Sequence, residues 1–453
     1  MMRKSAMVSG LVGLVMLLGS GQAWSGLRTL LLPGNTDSAA EEEPAPGQLG
    51  ALGELLAPQG DAQPSLQQSL DVLVQGLLQP SGRNRAGTLP AAQGSLLAQQ
   101  IDVGADAVRR HFLLYQPPSA ALDPARTNYP LVLVLHGLNQ SAQQMSRSNS
   151  GRIWQLAADG MFQDLVEGGF YVVFLSGTGI GGGSLGPASA ATWNDCDTMR
   201  FNNPSSADDV GYTRAVVDYL DEAFPSAAAT PGLPIDRTRV YAYGFSNGAG
   251  MALRLGREAG DLVAAVSAVS GVDPGDANDE CLEFEVDGIS ARRPAAIMHG
   301  TADLLTPYAN AACGGNGLAQ NCRLGHADTV TAWKTASDGN FMVEPLPIAF
   351  AKSAVNARPA SAPADRTEIA CFHHLRNIRL RANGTPFRDS AGNLLPAQPD
   401  DVRVEDCIIA GGGHVEPSIL TYVGRATELS LGRQNNDAES VFLAARFFAR
   451  HRR

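Results

Sequence analysis

Positive charge is scarce in this chain: 34 Lys and Arg stand against 45 Asp and Glu, giving a formal net charge of −11 over 453 residues. An acidic chain of this kind is not built to hold phosphate backbones, so no nucleic-acid partner is expected. Metal-ligand spacing is missing as well. There is no C-x-x-C and no His-x-x-His, so no zinc site is expected. The adjacent pair His373-His374 does not change this, because neighbouring residues of a strand face opposite ways. No internal repeat is present, which excludes solenoids and propellers. The apolar run from Ala6 to Leu18 falls short of the about 20 residues that span a bilayer.

That run follows Arg3 and Lys4 and precedes Gly21-Gln22-Ala23, the layout of a secretory signal peptide over residues 1–23. An uncleaved anchor is the competing reading. Export, to the periplasm or the extracellular space, gives the six cysteines a meaning. Cys196, Cys281, Cys313, Cys322, Cys371 and Cys407 can form up to three disulfides in an oxidising compartment. Cys313 with Cys322 closes the shortest loop, and Cys371 with Cys407 is placed to bridge neighbouring strands. The closing Arg450-His451-Arg452-Arg453 reads as a solvated helix end.

Residues 24–100 are rich in Ala, Gly, Gln, Pro and Leu, the composition of a linker or loosely packed arm, with one amphipathic stretch from Leu66 to Leu78. The catalytic domain is expected over 101–453. Strands are predicted at His111–Tyr115, Tyr129–Gly137, Phe170–Leu175, Arg239–Tyr243, Leu262–Val269, Ala295–His299 and Val402–Ala410, with helices at Val210–Ala223 and Ala327–Ala336. Near-continuous apolar strands alternating with helices specify a mostly parallel, doubly wound α/β sheet covered on both faces. The rhythm breaks at about 338–398, where Pro, Ala and Arg accumulate. This segment is expected to be an insertion whose strands, if present, are antiparallel.

Gly244-Phe245-Ser246-Asn247-Gly248 sits between the predicted strand Arg239–Tyr243 and a helical run starting at Ala249. This is the setting of a nucleophile elbow, a turn so tight that its flanks must be small. A second match, Gly182-Gly183-Ser184-Leu185-Gly186, lies in a glycine-rich loop with Pro187 directly after it, where no helix can start. Ser246 is therefore the expected nucleophile and Ser184 a loop residue.

A serine nucleophile needs a base, and the base an orienting acid, in the chain order Ser, acid, His. Among the later histidines, His326 opens a helix in an ordinary surface role and His451 lies in the tail. His414 follows a strand and Gly411-Gly412-Gly413, which let the backbone approach another loop closely; it is the expected base. Asp303 stands in the loop after Ala295–His299, at a strand's carboxyl end. It is preferred as the acid over Asp273, Asp276 and Asp279. The oxyanion is expected between the backbone N–H groups of Asn247 and of Leu138, which follows His136-Gly137.

Together these residues resemble the poly(3-hydroxybutyrate) depolymerase and feruloyl-esterase group of α/β-hydrolases. The likeness is carried by Leu135 to Gln140, Trp193-Asn194-Asp195, Asp208 to Tyr212, Gly244 to Gly248, His299 to Asp303 and Gly411 to His414, in that order between about Val108 and Glu416. The resemblance implies an α/β-hydrolase fold with Ser246, Asp303 and His414 as the triad and Leu138 and Asn247 as oxyanion donors. Departures are Leu138 where the family often has a small residue or Cys, Val415-Glu416-Pro417 where it usually has Trp-Pro, and an enlarged segment between acid and base. Trp193 stands evenly between a wall of the acyl pocket and a core residue. Asp208-Asp209 is expected to cap the helix beginning near Val210.

The expectation is thus a secreted serine esterase that needs no cofactor or metal, acting on a hydroxyalkanoate polyester or its oligomers. A feruloyl or acetyl-xylan esterase acting on an ester-decorated polymer is the rival within the class. An inactive polymer-binding protein on a hydrolase scaffold and a serine peptidase are the rivals outside it; no propeller or repeat domain accompanies the chain to support the peptidase.

Overall fold

The computed structural model describes residues 89–453 except 105–107, 162–168, 180–185, 187–188, 197–206, 226–231, 274–284, 287–288, 291, 310–323, 336–340, 347–366, 377–387, 394–401, 419–427 and 429. All of them belong to the compact unit Leu77–Arg453. The signal peptide, the 66–78 helix, Ser184, Asp276, Asp279, Cys281, Cys313 and Cys322 lie outside the described residues.

Among the described residues, ten strands form one sheet: β1 (Ser95–Val103), β2 (Val108–Gln116), β3 (Tyr129–Leu135), β4 (Tyr171–Leu175), β5 (Ile235–Phe245), β6 (Ala265–Val269), β7 (Ala295–Gly300), β8 (Phe341–Leu346), β9 (Glu368–Arg376) and β10 (Val402–Ala410). Their spatial order is β1-β2-β4-β3-β5-β6-β7-β10-β9-β8. The run from β4 to β10 is parallel, and β1, β2, β8 and β9 pair antiparallel at the two edges. This is the α/β-hydrolase architecture. The 338–398 segment supplies β8 and β9, which extend the sheet beyond β10. At the other edge β1 begins at Ser95, ahead of the strand expected first.

The parallel strands are apolar on both faces because both faces are covered. Along β3, Leu131, Leu133 and Leu135 join one core and Val132 and Val134 the other, following the two-residue period of a strand. The core holding Val132 takes in α2 (Asn149–Ala158) and α6 (Ser440–Phe448), through Trp154 and Phe447 among others. The core holding Leu133 takes in α3 (Asp209–Asp218), α4 (Asn247–Glu258) and α5 (His326–Thr335), through Tyr212, Met251 and Trp333. A short α1 (Ala142–Arg147) precedes α2.

Register fixes the site. Leu135 pairs with Gly244, Phe245 with Val269, Val269 with Met298, and Gly300 with Ile409. The carboxyl ends of β3, β5, β7 and β10 therefore finish level along one edge of the sheet. From β3 the chain turns first toward β4 and then back past β3 to β5, so the loops after β3 and β5 meet at the topological switch point where α/β proteins place their sites.

Two expectations change in detail. The strand predicted from Leu262 starts at Ala265, because Leu262 N–H turns back to the Ala259 carbonyl. The basic tail is docked rather than solvated: the His451 carbonyl accepts from Tyr241 Oη at 2.7 Å, and Arg453 N–H donates to the Thr238 carbonyl at 2.9 Å. Cys371 and Cys407, register partners on β9 and β10, form a disulfide. Cys196 is also disulfide-bonded.

Candidate active site

Ser246 sits between the last residue of β5 and the first of α4 with φ 57° and ψ −121°, a backbone that costs an L-residue about 1–3 kcal/mol. The flanking glycines make this turn possible. A Cβ on Gly244 would run into the Gly248 carbonyl, and one on Gly248 into the carbonyls of Leu135 and His136. The turn presents Oγ to the His414 ring.

Ser246 Oγ lies 2.7 Å from His414 Nε2, and His414 Nδ1 lies 2.8 Å from Asp303 Oδ2. The carboxylate can only accept, so Nδ1 carries the proton and Nε2 is left to accept from the serine hydroxyl. His414 is held from two sides: its N–H donates to the Leu431 carbonyl, and its ring packs 5.2 Å from that of Phe245. The acid and base loops are zipped together by Thr301 N–H to the Ile409 carbonyl and Ala302 N–H to the Gly412 carbonyl.

Asp303 is buried. Burial alone would raise its carboxyl, but the His414 imidazole beside it and the hydrogen bonds from His299 and His414 outweigh burial and hold it well below the usual carboxylate range. It stays ionised beside the His414 ring. Of the rival acids, Asp273 is buried against Arg257 at 3.4 Å and Arg292 at 3.6 Å, turned to a structural ion-pair cluster.

Asn247 directly follows Ser246 as the first residue of α4, and the loop after β3 approaches it through Gly137. Gly137, just before Leu138, is so close that a Cβ there would lie 3.4 Å from Ser246 Cβ. The loop is fixed by Gln140, whose Oε1 accepts from Gly137 N–H at 2.9 Å, and by His136, whose Nε2 accepts from Gly177 N–H at 3.0 Å. Burial pulls His136 down to about 4, consistent with a neutral ring. Asn247 does more than follow the serine. Its Oδ1 accepts from Trp193 N–H at 2.8 Å and its Nδ2 donates to Asp195 Oδ2 at 2.9 Å.

Trp193 is buried, its indole N–H donates to the His136 carbonyl at 2.9 Å, and its ring lies 4.9 Å from that of His136. It braces the β3 loop from behind, a supporting position rather than a lining one. Asp208 caps α3 by accepting from Gly211 N–H at 2.7 Å. Asp209 corrects the expectation of a shared cap: fully buried, it pairs with Arg110 at 2.6 Å and accepts from Asn194 N–H at 2.7 Å. That ties the Trp193-Asn194-Asp195 loop to β2. His326 is likewise not a surface residue; it is buried, with Nε2 2.6 Å from Asp406 Oδ1.

Three contributors escaped the sequence reading: His299, Glu416 and the Asn247 side chain. His299 Nε2 lies 3.3 Å from Asp303 Oδ2. Glu416 accepts from Tyr243 Oη at 2.6 Å and from Ser150 Oγ at 2.8 Å. A histidine within an apolar strand and a glutamate two residues after the expected base were the available signals.

No family model matches the chain. It is 29% identical over 329 residues to the esterase candidate NocK of Nocardia uniformis subsp. tsuyamanensis, covering 72% of this chain and 76% of that protein. Solved structures similar to it include an acetyl xylan esterase from Aspergillus awamori, with TM-score 0.36, 15% identity and coverage of 70% of this chain and 94% of that one. A thermostable esterase matches with TM-score 0.32 and 20% identity over 47% of this chain; the chain spans about half of that protein, 48%.

Proposed function

We propose that this protein is a serine esterase. The observation that carries the reading is the unbroken row from Ser246 Oγ through His414 to Asp303, with links of 2.7 and 2.8 Å. The likeness to NocK supports the same class. Ser246 Oγ attacks the ester carbonyl and gives its proton to His414 Nε2. The resulting oxyanion is received by the N–H groups of Leu138 and Asn247, the latter at the positive end of α4. His414 then protonates the departing alcohol, and a water activated by the same imidazole releases the acid from Ser246. Asp303 orients the ring and stabilises its charged form without taking the proton.

The substrate class follows from the sequence resemblance: a hydroxyalkanoate polyester or its oligomers, met outside the cytoplasm. Export is supported by the signal-like N-terminus and by the Cys371–Cys407 disulfide. The test is hydrolysis of 3-hydroxybutyrate oligomers, methyl ferulate and p-nitrophenyl acetate by the mature protein, side by side with Ser246→Ala. The expected result is Ser246-dependent turnover with the highest kcat/KM on the oligomers. A preference for methyl ferulate transfers the protein to plant-wall ester chemistry, and silence on all three refutes the esterase reading.

A further inference from the structure

Asp303 has four acceptor positions on its two carboxylate oxygens; three receive N–H donors and the fourth faces the His299 ring. Oδ1 accepts from Leu305 N–H at 2.9 Å and from Thr306 N–H at 2.7 Å. Oδ2 accepts from His414 Nδ1–H at 2.8 Å and faces His299 Nε2 at 3.3 Å. His299 Nε2 also lies 2.8 Å from the Thr306 carbonyl. A carbonyl only accepts, so the proton of His299 is on Nε2, directed to Thr306 with the carboxylate 3.3 Å away. The imidazole thus grips both ends of the 303–306 turn and the far side of Oδ2.

We propose that His299 is a positioning residue that fixes the orientation and acceptor strength of the Asp303 carboxylate, a role that rests on the serine-esterase reading. His299 is fully buried at the end of β7. The titratable groups around it are Asp303 and, through it, His414; the Tyr308 and His326 rings, with centroids 5.9 and 5.7 Å away; and Asp406, which holds both His326 and His374. Burial pulls His326 down, against the opposing pull of Asp406. A donor on Oδ2 withdraws charge from the oxygen that His414 uses. Its loss makes the carboxylate a stronger partner for the imidazolium, so the acidic limb of the rate profile moves to higher pH. At the same time the turn is freed, and catalysis falls through misorientation.

The test compares His299→Leu, which has no donor, with His299→Gln, whose Nε2 reaches to the same place. The expected result for H299L is a kcat lowered on the order of tenfold with KM little changed, and an acidic limb displaced upward; H299Q recovers both. The 15N-resolved Nδ1–H resonance of His414, assigned by its loss in Asp303→Asn, moves downfield in H299L and returns in H299Q. Should leucine unfold the protein, His299→Asn, whose amide is one bond too short to reach Oδ2, takes its place. Equal losses in the donor-retaining and donor-lacking variants would reduce His299 to packing, and an unmoved resonance and limb would overturn the proposal. Inactivity of the wild-type protein on esters would instead sink the esterase reading and leave the positioning role to be decided by the resonance alone.

Discussion

At the scale of single residues, the site depends on a carboxylate that must stay charged while buried. The His414 imidazole and the donors around Asp303 keep its pKa depressed against the cost of burial. The sign of the pH effect follows: a carboxyl depressed in the folded state contributes stability above its unfolded pKa, and that contribution is lost as pH falls through the folded value. Asp303→Asn keeps the shape but places an amide N–H against His414 Nδ1, forcing the wrong tautomer. The expected outcome is a kcat reduced on the order of 10⁴-fold, with stability that declines less on acidification than in wild type. Kinetics and denaturant melts across an acid pH series check both parts. Ser246, His414 and Asp303, which the structure sets in one hydrogen-bonded row, stood out in the sequence because each follows a recognisable strand. His299, Asp209 and His326 could not be assigned in the same way, since their meaning lies in partners supplied by other elements.

At the scale of elements, the interior strands were legible because burial on both faces leaves a continuous apolar run, as in β3, where all seven residues are buried. The edge strand β1 was hidden for the opposite reason. Its residues alternate between exposed and half-buried, and its Gln- and Ala-containing sequence resembles linker until β2 pairs with it over Ser95–Val103. Glu416 shows how elements are joined behind the site. It links the His414 loop to β5 through Tyr243 and to α2 through Ser150, 266 residues away, and Tyr243 also meets Ser440 of α6 at 3.0 Å. Burial raises the Glu416 carboxyl. A raised acid favours folding in its protonated form, so its contribution weakens as pH rises through the folded pKa. Glu416→Gln retains partners for both hydroxyls and is expected to flatten this loss as pH rises above the ordinary glutamate pKa of about 4.3. Glu416→Leu removes the carboxylate acceptor from two buried hydroxyls, leaving Tyr243 with Ser440 at 3.0 Å and Ser150 with Ser148 at 3.1 Å, and is expected to destabilise more than Glu416→Gln. Paired denaturation curves of the two variants check the prediction; equal destabilisation would show that Glu416 contributes volume alone.

At the scale of the whole molecule, the level carboxyl ends of β3, β5, β7 and β10 bring residues from 136 to 414 to one edge of the sheet. Asp303 and His414 are separated by a segment whose strands β8 and β9 are laid on the sheet edge, and the Cys371–Cys407 disulfide fastens β9 to the strand that leads into His414. The scaffold could be read from sequence through its alternation of strands and helices. The placement of the added edge strands could not, because their pairing is set by a sheet edge formed elsewhere in the chain. The proposed function rests on Ser246 as the activated nucleophile. The most direct measurement is reaction of the native protein with a fluorophosphonate, followed by peptide mass analysis. A single adduct is expected on the peptide containing Ser246, abolished in Ser246→Ala and slowed in His414→Ala. A protein left unmodified, or an adduct on Ser184 in its place, would contradict it.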